Sequence, residues 1–324
     1  LRWDPSRAWA GTEVRLPHGN DNFELIEEKN HMLQYKNYAV PQTIEELFRL
    51  LERNDGAVDI VSGGTDCFAR EKDSSRHPDA AIDISRIEAF SRIERKGDVL
   101  VIGANTRIQQ FLNDQELIEC VPMLRHAASY FADQQIRESA TIGGNLANAS
   151  PTGDMIPPLL ALNAVVHTLR LEAGKTGGRD IPVSNFIQGV GKTPLARSEV
   201  IASVSCPVLE GYGCAFKKVG LRRSLCISTV NSAFLVKVDS SGRYFEDVRI
   251  AFGGIAPAPA RLRAVEEKLK GARISKAQIQ EMADYIPDDI VRSRSRQEYR
   301  KTVVRNFLTA GLLESLAEIG ILPE

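Results

Sequence analysis

Two short segments hold the residues best suited to chemistry. They are Ile60-Val61-Ser62-Gly63-Gly64-Thr65-Asp66-Cys67 and Thr141-Ile142-Gly143-Gly144-Asn145, the second running on to Ser150-Pro151-Thr152-Gly153-Asp154. Adjacent glycines let backbone N–H groups turn toward an anion with no Cβ in the way. Two such cups in one chain suit a ligand with two phosphates, which points to a dinucleotide. Neither is a known single-loop phosphate motif. There is no G-x-G-x-x-G, so the Rossmann solution is absent. Gly189-Val190-Gly191-Lys192-Thr193 carries a Gly-Lys-Thr triplet, but Phe186 stands where a Walker A loop needs its first glycine, so it reads as a surface turn.

No other group offers a reaction. The histidines His18, His31, His77, His126 and His167 fall in no triad or metal pattern. His167 sits in an apolar strand and reads as structural; His126 lies on a helix and reads as a surface or satisfied group. The cysteines Cys67, Cys120, Cys206, Cys214 and Cys226 are odd in number, scattered and without a C-x-x-C pair. That argues against a disulfide framework and against an iron–sulfur cluster, and leaves them as small core residues. With no activated nucleophile, the hard chemistry falls to a cofactor that the protein positions.

The elements around these segments alternate. Thr43-Ile44-Glu45-Glu46 is a capping box, and Ile44, Leu47, Phe48, Leu50 and Leu51 follow at helical spacing. Val58 to Val61 reads as a strand feeding the first glycine pair, and Ala80 to Ile84 as another, which makes a small parallel α/β unit up to about Ser91. Val99 to Ala104, Ala164 to Leu169 and Glu199 to Cys206 read as strands, with a helix capped by Asn105 or Thr106, a second from Pro122 to Phe131 and a third from Met155 to Leu162. From Gly211 the pattern changes: three strands, Ala215–Val219, Ser228–Val238 and Val248–Gly253, precede helices over Ala264–Leu269, Ser275–Tyr285 and Gln297–Leu316. Residues 1–32 carry both tryptophans and little periodicity, and read as a loose arm or as a segment that docks a partner through its indoles.

Composition narrows the class. With 324 residues there is room for two domains and a sizeable core. Lys plus Arg is 41 against 42 for Asp plus Glu, so no basic field recommends nucleic acid. No apolar run is long enough for a membrane span and no signal peptide is visible, so the cytoplasm is the default.

These residues carry a resemblance. Ser62-Gly63-Gly64-Thr65-Asp66, and Thr141 to Asn145 with Ser150-Pro151-x-x-Asp154, resemble the two flavin-binding signatures of the FAD subunit of molybdenum hydroxylases, the xanthine dehydrogenase and carbon monoxide dehydrogenase family. Gln135-Ile136-Arg137, Pro158-Leu159-Leu160-Ala161-Leu162-Asn163-Ala164, Ala251-Phe252-Gly253-Gly254-Ile255-Ala256-Pro257 and Tyr299-Arg300 are similar to the family as well, so that the likeness runs from about residue 33 to the end.

The resemblance implies an α+β chain. A two-part FAD-binding domain of the PCMH type over 33–210, a small parallel α/β unit plus a mixed α+β unit, would precede a C-terminal domain over 211–324 with a three-stranded sheet and helices. It implies non-covalent FAD, with Ile60 to Cys67 and Thr141 to Asn145 as the two halves of a pyrophosphate cradle. Asp154 would be an acidic flavin contact, Phe131 an aromatic neighbour, Ile201 an apolar contact and Lys217 a cation near the flavin. Asp66 and Asp154 have a rival reading as caps, Phe131 and Ile201 as core, and Lys217 as a strand-edge lysine. The molybdenum cofactor and the iron–sulfur clusters would lie on partner subunits of a heterotrimer. Electrons would pass from the clusters through FAD to an external acceptor, near which the basic loop Gly220-Leu221-Arg222-Arg223-Ser224 could sit. A self-contained flavin oxidase or dehydrogenase and a non-catalytic nucleotide-binding scaffold are the alternatives. The lack of a histidine at either flavin loop weighs against the covalent form of the former.

Overall fold

The computed structural model describes residues 35–54, 56–69, 78–172, 175–222 and 225–324. The expected arm over 1–32, and Arg223 and Ser224 of the basic loop, lie outside them.

The first unit is built as its periodicity requires. β1 (Asn37–Ala39), β2 (Val58–Val61) and β3 (Ala80–Asp83) form a parallel sheet in the order β1-β3-β2. Helix α1 (Ile44–Arg53) starts at the capping box: the Thr43 hydroxyl accepts the Glu46 N–H at 3.2 Å, and the Glu46 carboxylate accepts the Gln42 N–H at 2.8 Å. Leu47, Phe48 and Leu51 of α1 bury against Ile82, Ile84, Ile87 and Phe90. β2, paired with β3 along one side, ends where the first glycine pair begins.

The middle region holds β4 (Ile93–Lys96), β5 (Val99–Gly103), six short helices and β6 to β9. The helices are α2 (Gln110–Asn113), α3 (Gln115–Cys120), α4 (Pro122–Tyr130), α5 (Gln134–Arg137), α6 (Ile142–Asn148) and α7 (Ile156–Ala161). The later strands are β6 (Val165–Glu172), β7 (Lys175–Gly177), β8 (Asp180–Pro182) and β9 (Glu199–Pro207), with α8 (Val183–Phe186) after β8. They pair antiparallel in the order β4-β5-β9-β6-β7, β8 lying beside β6. Val200 of β9 packs into the α1 core while Ile201 and Val204 pack into the helical one, so this strand joins the two parts.

The segment from Thr141, expected as a glycine turn, is the first turn of a helix. Glycine is a poor helix former, but Thr141 caps α6 by accepting the Gly144 N–H at 3.1 Å, and Ile142 and Leu146 are fully buried. The cap and the burial outweigh the propensity.

After Gly211, β10 (Gly213–Gly220), β11 (Ser228–Val238) and β12 (Phe245–Gly253) form the three expected antiparallel strands, and a two-residue strand β13 (Ala260–Arg261) adds a fourth at the edge. Helices α9 (Arg263–Leu269), α10 (Lys276–Tyr285) and α11 (Gln297–Glu318) cover one face, with Val304, Leu308, Leu312 and Leu316 packing on Phe234 and Phe252. No helix among the described residues is long and apolar enough to cross a membrane.

The halves are stitched by backbone and buried polar groups. Gly254 N–H donates to Pro151 O at 2.8 Å. Buried Arg300 donates to Gly254 O at 2.7 Å and also to Thr229 O. The motifs around Ser150-Pro151, Gly253-Gly254 and Tyr299-Arg300, far apart in sequence, are thus one local structure.

Candidate functional site

The loop after β2 and the start of α6 meet. A Cβ placed on Gly63 would lie 1.9 Å from the Ser139 carbonyl oxygen, so only glycine permits this approach. Gly64, at φ +69°, occupies the left-handed region. Beside the contact lies a crevice of about 650 Å³, within the ~300–1,000 Å³ of small-molecule sites. Ile60, Ser62, Gly63, Gly64, Thr65, Asp66 and Cys67 line it from one side, Thr141, Gly144 and Asn145 from the other, and Phe131 joins them.

The segment Gly103 to Ile108 holds both walls. Asn105, expected to cap a helix, is buried; its side chain accepts the Ser62 hydroxyl at 2.8 Å and donates to Ile84 O at 2.7 Å. Next to it, Ala104 O accepts the Gly143 N–H at 2.9 Å and Thr106 O accepts the Ile142 N–H at 3.0 Å.

The two walls differ in what they offer. On the second, the N–H groups of Ile142, Gly143, Gly144 and Asn145 are all taken by Thr106, Ala104 and Thr141. On the first, no acceptor among the described residues takes the N–H groups of Gly63, Gly64, Thr65 or Asp66. The buried Oδ1 of Asn145 has no hydrogen-bond partner in the structure. A buried amide oxygen without a partner is costly, and here it belongs to a residue of the crevice wall. A glycine-lined approach, open backbone donors and an orphaned acceptor fit a polar, phosphate-bearing ligand.

Six expected contacts are placed elsewhere. Val61 points into the core at 2% exposure and Ile142 is fully buried. Gly143 packs against Ala104, where an added Cβ would come within 2.7 Å of the Ala104 methyl carbon. Ile201 faces the helical core from β9. Asp154 is buried in a network: Lys218 reaches one carboxylate oxygen at 2.5 Å, and Ser228 and Asn231 reach the other at 2.6 and 2.7 Å. Lys217 pairs instead with Glu314 of α11. Neighbouring strand residues face opposite ways, and it is Lys218 that faces Asp154 and the Tyr130 carbonyl, at 3.0 Å from the latter. Arg222 of the basic loop donates to Leu225 O at 2.8 Å.

Several lining or supporting residues escaped the sequence reading. Leu195, Ala196 and Arg197 line the crevice beside Gly56 to Asp59, and Arg197 donates to Asn54 O at 3.1 Å and to Gly56 O. Glu199 fixes that loop. Its carboxylate accepts the Ala196 N–H at 3.0 Å, the Thr168 hydroxyl at 2.6 Å and a fork from Arg179 at 2.8 Å. Above all the Arg179 hydrogen bonds, opposed by burial, hold its carboxyl down to about 2. Arg137, of the Gln135-Ile136-Arg137 motif, donates to Phe131 O at 2.9 Å and so sets the aromatic wall. Arg137 could have been found as a cation in a motif; the Arg197 loop carries no pattern.

His167 is part of a ladder rather than isolated. Its ring nitrogens lie 2.6 Å from Asp180 and 2.8 Å from the Ser205 hydroxyl. These are the distances of a Ser-His-Asp relay, but Ser205 sits mid-strand between Val101 and Val165, and none of the described cavities reaches it. The arrangement lacks the substrate space and turned backbone donors that acyl transfer needs, and serves the sheet.

Comparison with known proteins agrees with this geometry. Residues 31–209 match the family described as the FAD binding domain in molybdopterin dehydrogenase, and residues 215–315 match the CO dehydrogenase flavoprotein C-terminal domain. The glyceraldehyde dehydrogenase medium chain of Sulfolobus acidocaldarius is 28% identical over 83% of this chain and 94% of its own. The nicotinate dehydrogenase FAD-subunit of Eubacterium barkeri is 30% identical over 87% of this chain and 96% of its own. Among solved structures, carbon monoxide dehydrogenase from Hydrogenophaga pseudoflava superposes with a TM-score of 0.79 at 26% identity, over 89% of this chain and 99% of that one.

Proposed function

This chain belongs to the FAD-binding flavoprotein subunits of the molybdenum hydroxylases, and from that premise we propose that it carries electrons from partner iron–sulfur clusters to an external acceptor. The observation that carries the reading is the single crevice walled by both glycine segments. Bound there, FAD supplies the ability to take up electrons singly and give them up as a pair.

The chain's own residues bind and orient. The open N–H groups of Gly63 to Asp66 are the donors for a pyrophosphate, and Asn145 offers an amide acceptor across the crevice. Phe131, held by Arg137, gives an aromatic wall, and Arg197 adds a positive charge suited to a dianion. Asp154 acts from behind, by fixing the end of the second segment to β10 and β11. We read the attachment as non-covalent, in keeping with a lining without histidine among the described residues.

Substrate oxidation belongs to a partner. The relatives named above are medium chains and FAD subunits of dehydrogenases, which supports a heterotrimer with an iron–sulfur and a molybdenum subunit. We divide the chain into a cofactor domain over 33–210 and a C-terminal domain over 211–324. A cytoplasmic setting suits five free thiols.

The test is purification of the full chain alone and with its partners. Alone, it is expected to be yellow, to release FAD on denaturation, and to oxidise no organic substrate. A colourless chain that takes up no FAD overturns the site, and a chain that oxidises substrate unaided overturns the division of labour.

A further inference from the structure

Where α4, β10 and α11 meet, three side chains from three elements converge. His126 comes from α4, Cys214 from β10, and Glu318 is the last residue of α11. The imidazole lies 3.3 Å from the Glu318 carboxylate through one nitrogen and 3.9 Å from the Cys214 sulfur through the other. One ligand atom from each residue can be chosen so that all lie within 4.8 Å of one another. We propose that these three residues form a zinc site that fastens the cofactor half of the chain to its C-terminal half.

The donor set points to the metal. Imidazole nitrogen, thiolate sulfur and carboxylate oxygen are the zinc ligands, and a three-ligand protein set leaves a fourth position for water. The sulfur disfavours magnesium and calcium, which take oxygen. Next to His126 a cavity of about 440 Å³, bounded by Arg125, Tyr130 and Phe216, gives a metal ion and a water a way in.

Glu318 is held where helix physics alone would not put it. A glutamate at a helix C-terminus faces the negative end of the dipole, and the last turn of α11 carries no basic residue to offset it. Glu318 stays because the Cys214 N–H and the imidazole hold it. Cys214 is buried at 1% exposure, with the Glu318 carboxylate against its own N–H. A divalent cation displaces the thiol proton to solvent and meets a carboxylate already in place. Of the cations nearby, Lys217 is held by Glu314 and Arg125 borders the cavity.

The test uses the full chain with Zn²⁺ as the probe. Calorimetry against a competing chelator is expected to give one zinc per chain, and X-ray absorption one sulfur at ~2.3 Å with nitrogen or oxygen neighbours. Cys214→Ser is expected to lose the sulfur scatterer and to weaken uptake by at least ~10–100-fold. Glu318→Gln, which keeps an acceptor for the Cys214 N–H, is expected to weaken uptake with the fold intact, while a Cys67→Ser/Cys226→Ser variant takes up zinc as before. Added zinc is expected to raise the melting temperature of the wild type by a few degrees and to leave that of Cys214→Ser unchanged. Absence of tight uptake by the wild type, a zinc spectrum without sulfur, or undiminished uptake by Cys214→Ser overturns the proposal; the first two need no variant to fold.

Discussion

The two glycine segments look alike in sequence and are opposites in structure. Gly63-Gly64 is an open turn whose backbone donors meet no protein acceptor among the described residues, fastened through the Ser62 hydroxyl to Asn105. Gly143-Gly144 is the first turn of a capped helix whose donors are all taken, and its continuation to Asp154 is bonded to β10 and β11. The same residue pair thus serves two needs. In the first segment glycine frees N–H groups for a ligand and lets the loop meet the Ser139 carbonyl; in the second Gly143 packs against Ala104 while Gly144 faces the crevice. A diphosphate site needs both, open donors on one side and a fixed wall on the other.

The strongest way to break this comparison is Gly63→Ala. The new methyl would meet the Ser139 carbonyl 1.9 Å away, and neither backbone can yield without parting the two walls. Purified protein is expected to retain no FAD by absorbance, and to unfold at lower denaturant by the ~1–3 kcal/mol of an overpacked site. Flavin retained at the wild-type ratio would show that the shared crevice is not the binding site.

A second test compares neighbours. Lys218 and Asp154 are a buried pair, at 3% and 9% side-chain exposure, and removing one member of such a pair costs about 3–5 kcal/mol by stranding the other. Lys217 and Glu314 are more exposed, and such pairs are worth ~1 kcal/mol or less. Lys218→Met is therefore expected to shift the denaturant midpoint several times further than Lys217→Met, and Lys218→Met/Asp154→Asn to recover much of the loss. Equal shifts would mean that the second segment is not held from behind.

These neighbours also show where sequence reading ends. Strands β2, β3, β5, β6 and β9 to β12, helices α1, α4, α7 and α9 to α11, and both glycine segments were legible because each depends on local chemistry: a period of two or 3.6, a Thr-x-x-Glu box, adjacent glycines after an apolar strand. The face on which Lys217 or Lys218 lies depends on strand phase, and the burial along β10 runs in two blocks without alternating, so nothing local separates them. Arg197 is placed against Gly56 by tertiary packing alone. The helix at Thr141 was hidden because two glycines argue against helix, and the burial of Ile142 and Leu146 that overrides them is visible only in the fold. His126, Cys214 and Glu318 lie on three elements, and no spacing rule connects them.

The pH dependence of Glu199 sharpens the view of the open side. Its folded carboxyl titrates at about 2 against the ordinary 4.5, so its charged form is favoured by folding. Stability from this group is complete above the unfolded value and is lost as pH falls from the ordinary carboxylate range through about 2. Its size at neutral pH is on the order of 3 kcal/mol. Glu199→Gln is expected to flatten the acid limb of a stability–pH curve and, by freeing the Leu195–Arg197 loop, to weaken FAD binding at neutral pH. An unchanged acid limb would assign that limb to other carboxylates.

The smallest expected effect separates the two segments most cleanly. At Gly144 an added Cβ meets a single atom, the Thr141 hydroxyl oxygen at 2.9 Å, within a helix. Alanine favours helix over glycine by up to ~1 kcal/mol, and this gain opposes the tight contact and the loss of part of the cap. Gly144→Ala is expected to leave stability within about 1 kcal/mol of the wild type, where Gly63→Ala is destabilised, because no backbone blocks the methyl. Gly144 lines the crevice all the same, so the methyl intrudes on the ligand, and FAD affinity is expected to fall while the fold is kept. A folded Gly144→Ala protein with normal flavin affinity would restrict the second segment to a structural role and leave the first loop as the sole cradle.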